Sequence, residues 1–214
     1  MAIYRDYSAV KTMLISVSVL LGCIIYYRYY YDGTELVQST VDGKWYRVRI
    51  EPGNQHKANL LAILNIKLNL IVESLQNDSR YSQNVAVQRL IYNWNQGVTI
   101  KEIGKMETDA AYVVNKKHMS FCLQENPGNN NQIKTIEDIN LMTYVGIHEL
   151  AHVMSYEIGH GDEFISNFEF LLDYAKQLKY YDPLLHKELP LYIQLDKLNT
   201  ADNYCGVSLI NSIN

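Results

Sequence analysis

Basic charge is in short supply in this chain: 19 lysines and arginines stand against 23 aspartates and glutamates, a formal net charge of −4 over 214 residues. That balance excludes a general electrostatic attraction to nucleic acid, so no nucleic-acid partner is expected. Cysteine is scarce too. Of the three, Cys23 falls in an apolar run, leaving Cys122 and Cys205, which the sequence leaves free to pair or to stay reduced. Nor does a small-residue cleavage site of the A-x-A kind follow that apolar run, which argues against a removable secretory signal. Otherwise the composition, with 48% hydrophobic and 20% charged residues, is that of a globular protein long enough for one domain and an appendage.

Residues 12–27 are uncharged and bounded by Lys11 and Arg28, with a tyrosine cluster at the C-terminal flank. Extended to Val10, the run is long enough to cross a bilayer, and interfacial tyrosines mark membrane boundaries. A single-pass anchor through residues 10–27 is therefore expected. Arg5 and Lys11 before the run outnumber Arg28 just after it, a slight lean toward a cytoplasmic N-terminus. Asn77-Asp78-Ser79 is a glycosylation triplet that has meaning only on the lumenal side of a membrane.

The chemistry concentrates in His148-Glu149-Leu150-Ala151-His152, an H-E-x-x-H motif inside an apolar run that suits a buried helix over residues 136–154. Histidines four apart project from one helical face about a turn apart, the bite that Zn²⁺ takes from two imidazoles, and the intervening glutamate reaches a water on the metal. Thr135 is the expected N-cap, with Glu137 and Asp138 in the first turn, where the helix dipole favours acids. A catalytic zinc site needs a third protein ligand and an open position. His160 is the choice, because Gly159 and Gly161 let the chain turn sharply back toward the first two histidines. Glu157, Asp162 and Glu163 remain alternatives, the last two being suited to the start of the next helix.

His148-Glu149-Leu150-Ala151-His152, a short spacer, then His160 and Phe164 resemble the WLM and SprT-like zinc metallopeptidases, and among them the small WLM-like proteins of large DNA viruses. The resemblance covers residues 111–182 and implies a zincin-like α+β domain that hydrolyses peptide bonds. It implies His148, His152 and His160 as zinc ligands, Glu149 as the catalytic acid/base, and a protein or peptide as substrate. It also implies that the strand before the metal helix, residues 118–123, offers a free edge to an extended substrate. A viral or host internal membrane is the location this suggests. Two other readings stand beside it: a non-catalytic zinc-binding or interaction protein, and a repair peptidase acting on DNA–protein crosslinks, which the charge disfavours.

The rest of the chain falls into three parts: an anchor at 1–31, a juxtamembrane segment at 32–56 and a zincin-like domain at 57–214. Asp42-Gly43 before an alternating stretch predicts a short hairpin. Leucines and isoleucines at helical spacing predict an amphipathic helix over 57–76, with asparagines and lysines on its outer face, and another helix over 83–95 ended by Gly97. Three β-rich runs, 98–103, 111–115 and 119–123, predict a small antiparallel sheet packed on the active-site helix. The loop from Glu125 to Lys134, with Pro127 to Asn131 at its centre, reads as a solvated connection. Phe164 through Leu178 predict a helix over 162–179, broken at Asp182-Pro183 and backing His160 through Phe164. His56, His118 and His186 read as surface histidines. An oxyanion-stabilising tyrosine could be Tyr156, Tyr192 or Tyr204; with 18 tyrosines in the chain, the sequence does not choose among them.

Overall fold

The computed structural model describes residues 3–27, 33–107, 109–126, 131–132, 136–194, 203–205 and 207–208. Thr135 and residues 127–130 and 133–134 of the expected 125–134 loop lie outside them, and its described residues 125–126 and 131–132 fall in a short antiparallel ribbon rather than a loop. Helix α1 (Ile3–Tyr27) carries the N-terminal apolar run, and every side chain from Tyr7 onward is exposed. It is long and apolar enough to cross a membrane, and so is α2 (Asn54–Asn77), yet most of α2 is buried. Length and composition alone do not separate a spanning helix from a core helix; packing does.

Asp42-Gly43 does form a hairpin, with Gly43 at φ +71° and strands β1 (Thr34–Gln38) and β2 (Trp45–Arg49) antiparallel. The hairpin belongs to a larger sheet. Strand β2 pairs in parallel with β3 (Thr99–Glu102), and β4 (Ala111–Val114) and β5 (His118–Phe121) complete five strands in the order β1-β2-β3-β5-β4. The expected antiparallel sheet is therefore mixed. The chain leaves β2, runs through α2 and α3 (Val85–Asn95), and re-enters at β3 in the same direction, as a helical crossover requires. The residue-57 boundary falls within α2, and residues 34–49 share the sheet with the strands that follow.

Helix α2 packs on β1, β2 and β3 and on α3, α4 (Ile136–Met154) and α5 (Asp162–Ala175). Leu60, Leu61, Ala62, Ile63 and Leu64 are all buried, so the helix has apolar contacts all round at that level rather than one apolar face. The lysines expected outside are also buried. Lys57 Nζ donates to Glu102 Oε1 (2.8 Å) and Glu51 Oε2 (2.9 Å), and Lys67 Nζ donates to Thr143 Oγ1 (2.9 Å) and the Leu191 carbonyl (3.0 Å). Arg49 adds its backbone N–H to Glu102 Oε2 at 2.6 Å and its guanidinium to the Ile103 and Gly104 carbonyls. This cluster bolts β2, β3 and the start of α2 together beside a parallel pairing that is itself short.

Asn84 caps α3 by accepting from Ala86 N and Val87 N, and Gly97, at φ +90°, lets the chain leave the helix. Helix α4 has the expected bounds. Gly146 is its contact point with α2: a Cβ there would lie 2.6 Å from Leu64 Cδ1. Helix α5 ends at Ala175, before the expected Lys179, because Lys179–Asp182 instead forms β8, antiparallel to β9 (Lys187–Pro190). Short ribbons β6 (Gln124–Asn126) with β7 (Asn131–Gln132), and β10 (Asn203–Tyr204) with β11 (Val207–Ser208), finish the described chain. Cys122 and Cys205 form a disulfide that ties the end of β5 to that last ribbon.

Candidate metal centre

On α4, Ile147, Leu150, Ala151 and Met154 turn into the core, which leaves the i, i+4 pair His148 and His152 facing a cleft. His148 is 8% exposed and His152 half-buried. Gly159, at φ +96°, reverses the chain after the helix and delivers His160 to the same place. His160 Nε2 lies 3.1 Å from His148 Nε2 and 3.2 Å from His152 Nε2. One ligand atom from each of the three lies within 4.8 Å of the others, and among the described residues no other histidine, cysteine or carboxylate joins the group. Phe164, one turn into α5, contacts all three rings at centroid distances of 4.8, 4.3 and 4.7 Å for His148, His152 and His160. Phe168 backs His148 from behind.

This apolar floor sets the electrostatics. Burial, reinforced by His152 and His160, lowers the pKa of His148 to about 3. Burial, then His160 and Lys116, lowers that of His152 to about 4, and burial lowers that of His160. The three imidazoles are thus neutral near pH 7 and have lone pairs to offer. Glu149, on the next position of α4, is 3% exposed, and its Oε2 has no hydrogen-bond partner. Burial raises its pKa to about 8.

Of the alternatives to His160, Glu157 lines the same cleft but its carboxylate does not join the histidine cluster, and Asp162 and Glu163 are committed elsewhere. Glu163 Oε2 accepts from Tyr156 N (2.9 Å) and Glu157 N (3.1 Å), and its Oε1 accepts from Arg89 Nη1 at 2.7 Å. Glu163 therefore clamps the 155–161 loop that carries His160. Asp162 follows the Gly161 N-cap as a first-turn acid. Arg89 also donates to the Met154 carbonyl at 2.9 Å, Asn93 Nδ2 to the Val153 carbonyl at 2.9 Å, and Lys116 Nζ to the Ser155 and Tyr156 carbonyls. The carbonyls that α4 leaves open at its C-terminal end are thereby met by donors from α3 and from the β4–β5 turn.

The cleft holds about 760 Å³ and is lined on one side by the three histidines, Glu149, Tyr144 and Val145, and on the other by Ala111, Tyr112 and Val113 of β4. The strand with a free edge toward the cleft is accordingly β4, not the 118–123 strand expected from the resemblance. Strand β5 is flanked on both sides, by β3 and β4, so its edges are used. Among the tyrosines considered, Tyr156 lines the cleft, Tyr192 is buried against Tyr144 at 6.3 Å between ring centroids, and the side chain of Tyr204 lies outside the description. Tyr144 went unnoticed although it stands four residues before His148, on the same helical face. Burial, aided by Tyr192, raises its pKa to about 12. Lys116 also went unnoticed. Its place depends on a β4–β5 turn in which Asn115 and Lys116 take φ of +52° and +57°.

The described residues thus make an α+β protein with an apolar N-terminal helix and a tri-histidine cluster in a cleft. The chain is 28% identical to uncharacterized protein 042R of Invertebrate iridescent virus 3, in an alignment covering 58% of this chain and 87% of that protein. It is 25% identical to uncharacterized protein R325 of Acanthamoeba polyphaga mimivirus, covering 80% of each. It is 33% identical to uncharacterized protein 136R of Invertebrate iridescent virus 6 over 81 residues, 38% of this chain and 44% of that one. No protein-family model and no solved structure matches the chain.

Proposed function

We propose that this protein is a membrane-anchored, zinc-dependent endopeptidase with a zincin-like catalytic domain, the reading implied by its resemblance to the WLM and SprT-like metallopeptidases. The observation that carries it is the convergence of three imidazole nitrogens in a cleft that also holds a buried carboxylate with an unpartnered oxygen. The residues fit the metal. Three neutral nitrogen donors suit zinc and leave a coordination position open, and His148, His152 and His160 would hold it. A bound zinc ion would supply Lewis acidity where a scissile carbonyl and a water meet.

Glu149 would take a proton from the attacking water and return it to the leaving amine. A cation held by the imidazoles would oppose the burial that keeps this carboxyl protonated and would favour the ionised form that Glu149 needs to act as a base. The unpaired edge of β4 would hold an extended peptide by main-chain hydrogen bonds, which favours conformation over side-chain identity. Tyr144 stays protonated with a pKa near 12 and lines the cleft, so its hydroxyl is the donor we assign to the developing oxyanion. Helix α1 would tether the domain to a bilayer.

The direct test is metal content by mass spectrometry of the full-length protein in detergent, with peptide hydrolysis measured on the same preparation. One equivalent of zinc with peptide-bond cleavage, both lost in His160→Ala, is the expected result. A wild-type protein that takes up no zinc would end the proposal.

A further inference from the structure

The Cys122–Cys205 disulfide has both residues buried, and neither lines the metal cleft or joins the histidine cluster. Such bonds persist in oxidising compartments and are rare where thiol reductants are maintained. Arg5 and Lys11 precede the apolar run of α1 and only Arg28 directly follows it, a slight lean toward a cytosolic N-terminus with the folded domain across the membrane. Were the run removed as a signal instead, the domain would reach the same side.

On that side one triplet of the sequence becomes a substrate. Asn77-Asp78-Ser79 is the one N-x-[S/T] triplet in the chain, and it falls at the C-terminal end of α2. Asn77 and Ser79 are exposed, and among the described residues the Asn77 side-chain amide hydrogen-bonds only within its own helix, from Nδ2 to the Glu73 carbonyl at 2.9 Å. The middle residue is the one committed to the fold: Asp78 caps the following 3₁₀ turn, pairs with Arg80 at 2.6 Å and accepts from Tyr174 Oη at 3.3 Å. An oligosaccharide on Asn77 therefore displaces nothing that holds the domain together, and Asn77 does not line the metal cleft.

We propose that the folded domain stands on the oxidising, non-cytosolic side of its membrane and that Asn77 carries an N-linked oligosaccharide. The donor class is a lipid diphosphate-linked oligosaccharide. Asn77 Nδ2 bonds to the anomeric carbon of the reducing-end sugar, the bond from that carbon to the diphosphate oxygen breaks, the amide loses one proton, and the lipid diphosphate leaves.

The test uses the full-length chain made in eukaryotic cells, with the membrane fraction treated with peptide N-glycosidase. The expected result is a wild-type band that shifts down on treatment, no shift for Asn77→Gln or Ser79→Ala, and a restored shift for Ser79→Thr. Because Ser79→Ala keeps the asparagine, a folding defect particular to Asn77→Gln does not decide the outcome. Maleimide-polyethylene glycol added under denaturing conditions should label Cys122 and Cys205 only after reduction. A wild-type band that glycosidase does not move overturns the proposal, and so does labelling of those two thiols without reductant. Neither readout depends on the metal.

Discussion

Glu102 and Glu149 are both carboxylates excluded from water, at 0% and 3% exposure, and burial pushes the pKa of each upward. Their surroundings differ in one respect. Glu102 receives Lys57 on one oxygen and the Arg49 backbone on the other, and Lys57 is itself shared with Glu51. Glu149 has an oxygen with no partner. A saturated buried charge cluster has nothing left to give a ligand, and it serves to hold elements in register. An unsaturated one beside three neutral imidazoles retains binding capacity at the cost of stability, which is how chemical sites are recognised.

Removing each carboxylate's charge or side chain should separate the two roles. Glu149→Gln should leave zinc content and folding near wild type while lowering peptide turnover by about 10²–10⁴-fold or more. Near-normal turnover in that variant would refute the assignment of Glu149 as the base. Glu102→Ala should do the reverse: it removes the buried partner of Lys57 and leaves it the partly exposed Glu51, so it should cost up to about 3–5 kcal/mol in denaturant unfolding, with hydrolysis per folded molecule retained. If Glu102→Ala instead unfolds at the wild-type midpoint, the cluster does not hold the sheet.

The pH dependence sharpens the contrast in the metal-free protein. Glu149 binds its proton up to about pH 8 when folded, whereas the unfolded carboxyl releases it near pH 4.3. Between those limits the native state holds the extra proton, so stability should fall as pH rises from about 5 to 8, by up to about 1.4 kcal/mol per pH unit. Metal-free Glu149→Gln should lack that slope. His148 and His152 act oppositely: folded pKa values of about 3 and 4 mean that the unfolded state binds more protons below about pH 6.5, so acid destabilises. Thermal melts of apo wild type and apo Glu149→Gln from pH 4 to 8 would separate the two slopes.

The smallest effect expected is at Arg89. Arg89→Gln removes the charge that pairs with Glu163 and the donor to the Met154 carbonyl, loosening the loop that presents His160. Zinc affinity, measured by chelator competition, should fall by about tenfold, at the lower end of what orienting partners contribute. Unchanged affinity would mean that the glycine turn and Phe164 suffice to place His160.

How much of this was legible in the chain follows from how local each determinant is. The bounds of α4, the shared face of His148 and His152, the turn at Gly159 and the support from Phe164 rest on a 3.6-residue period and on positive φ at a glycine, all within the 29 residues from Ile136 to Phe164. The parallel pairing of β2 with β3 was not legible, because the crossover that sets it spans two helices. Nor was the burial of Lys57 and Lys67, whose partners Glu102 and Leu191 lie 45 and 124 residues away. A lysine reads as a surface residue until its acceptor is known. The free edge went to β4 rather than β5 for the same reason: β5 slots between β3 and β4, an insertion that runs of β-branched residues do not encode.

The disulfide between Cys122 and Cys205 closes a covalent ring, and all of α4, the His160 loop and α5 lie within it. His148, Glu149, His152 and His160 are thus carried on the ring rather than on an open strand of chain. One cut anywhere between residues 122 and 205, whether by another protease or by a second copy of this protein, opens the ring without releasing a fragment. On a non-reducing gel the nicked protein would run as a single species, and only reduction would reveal two pieces.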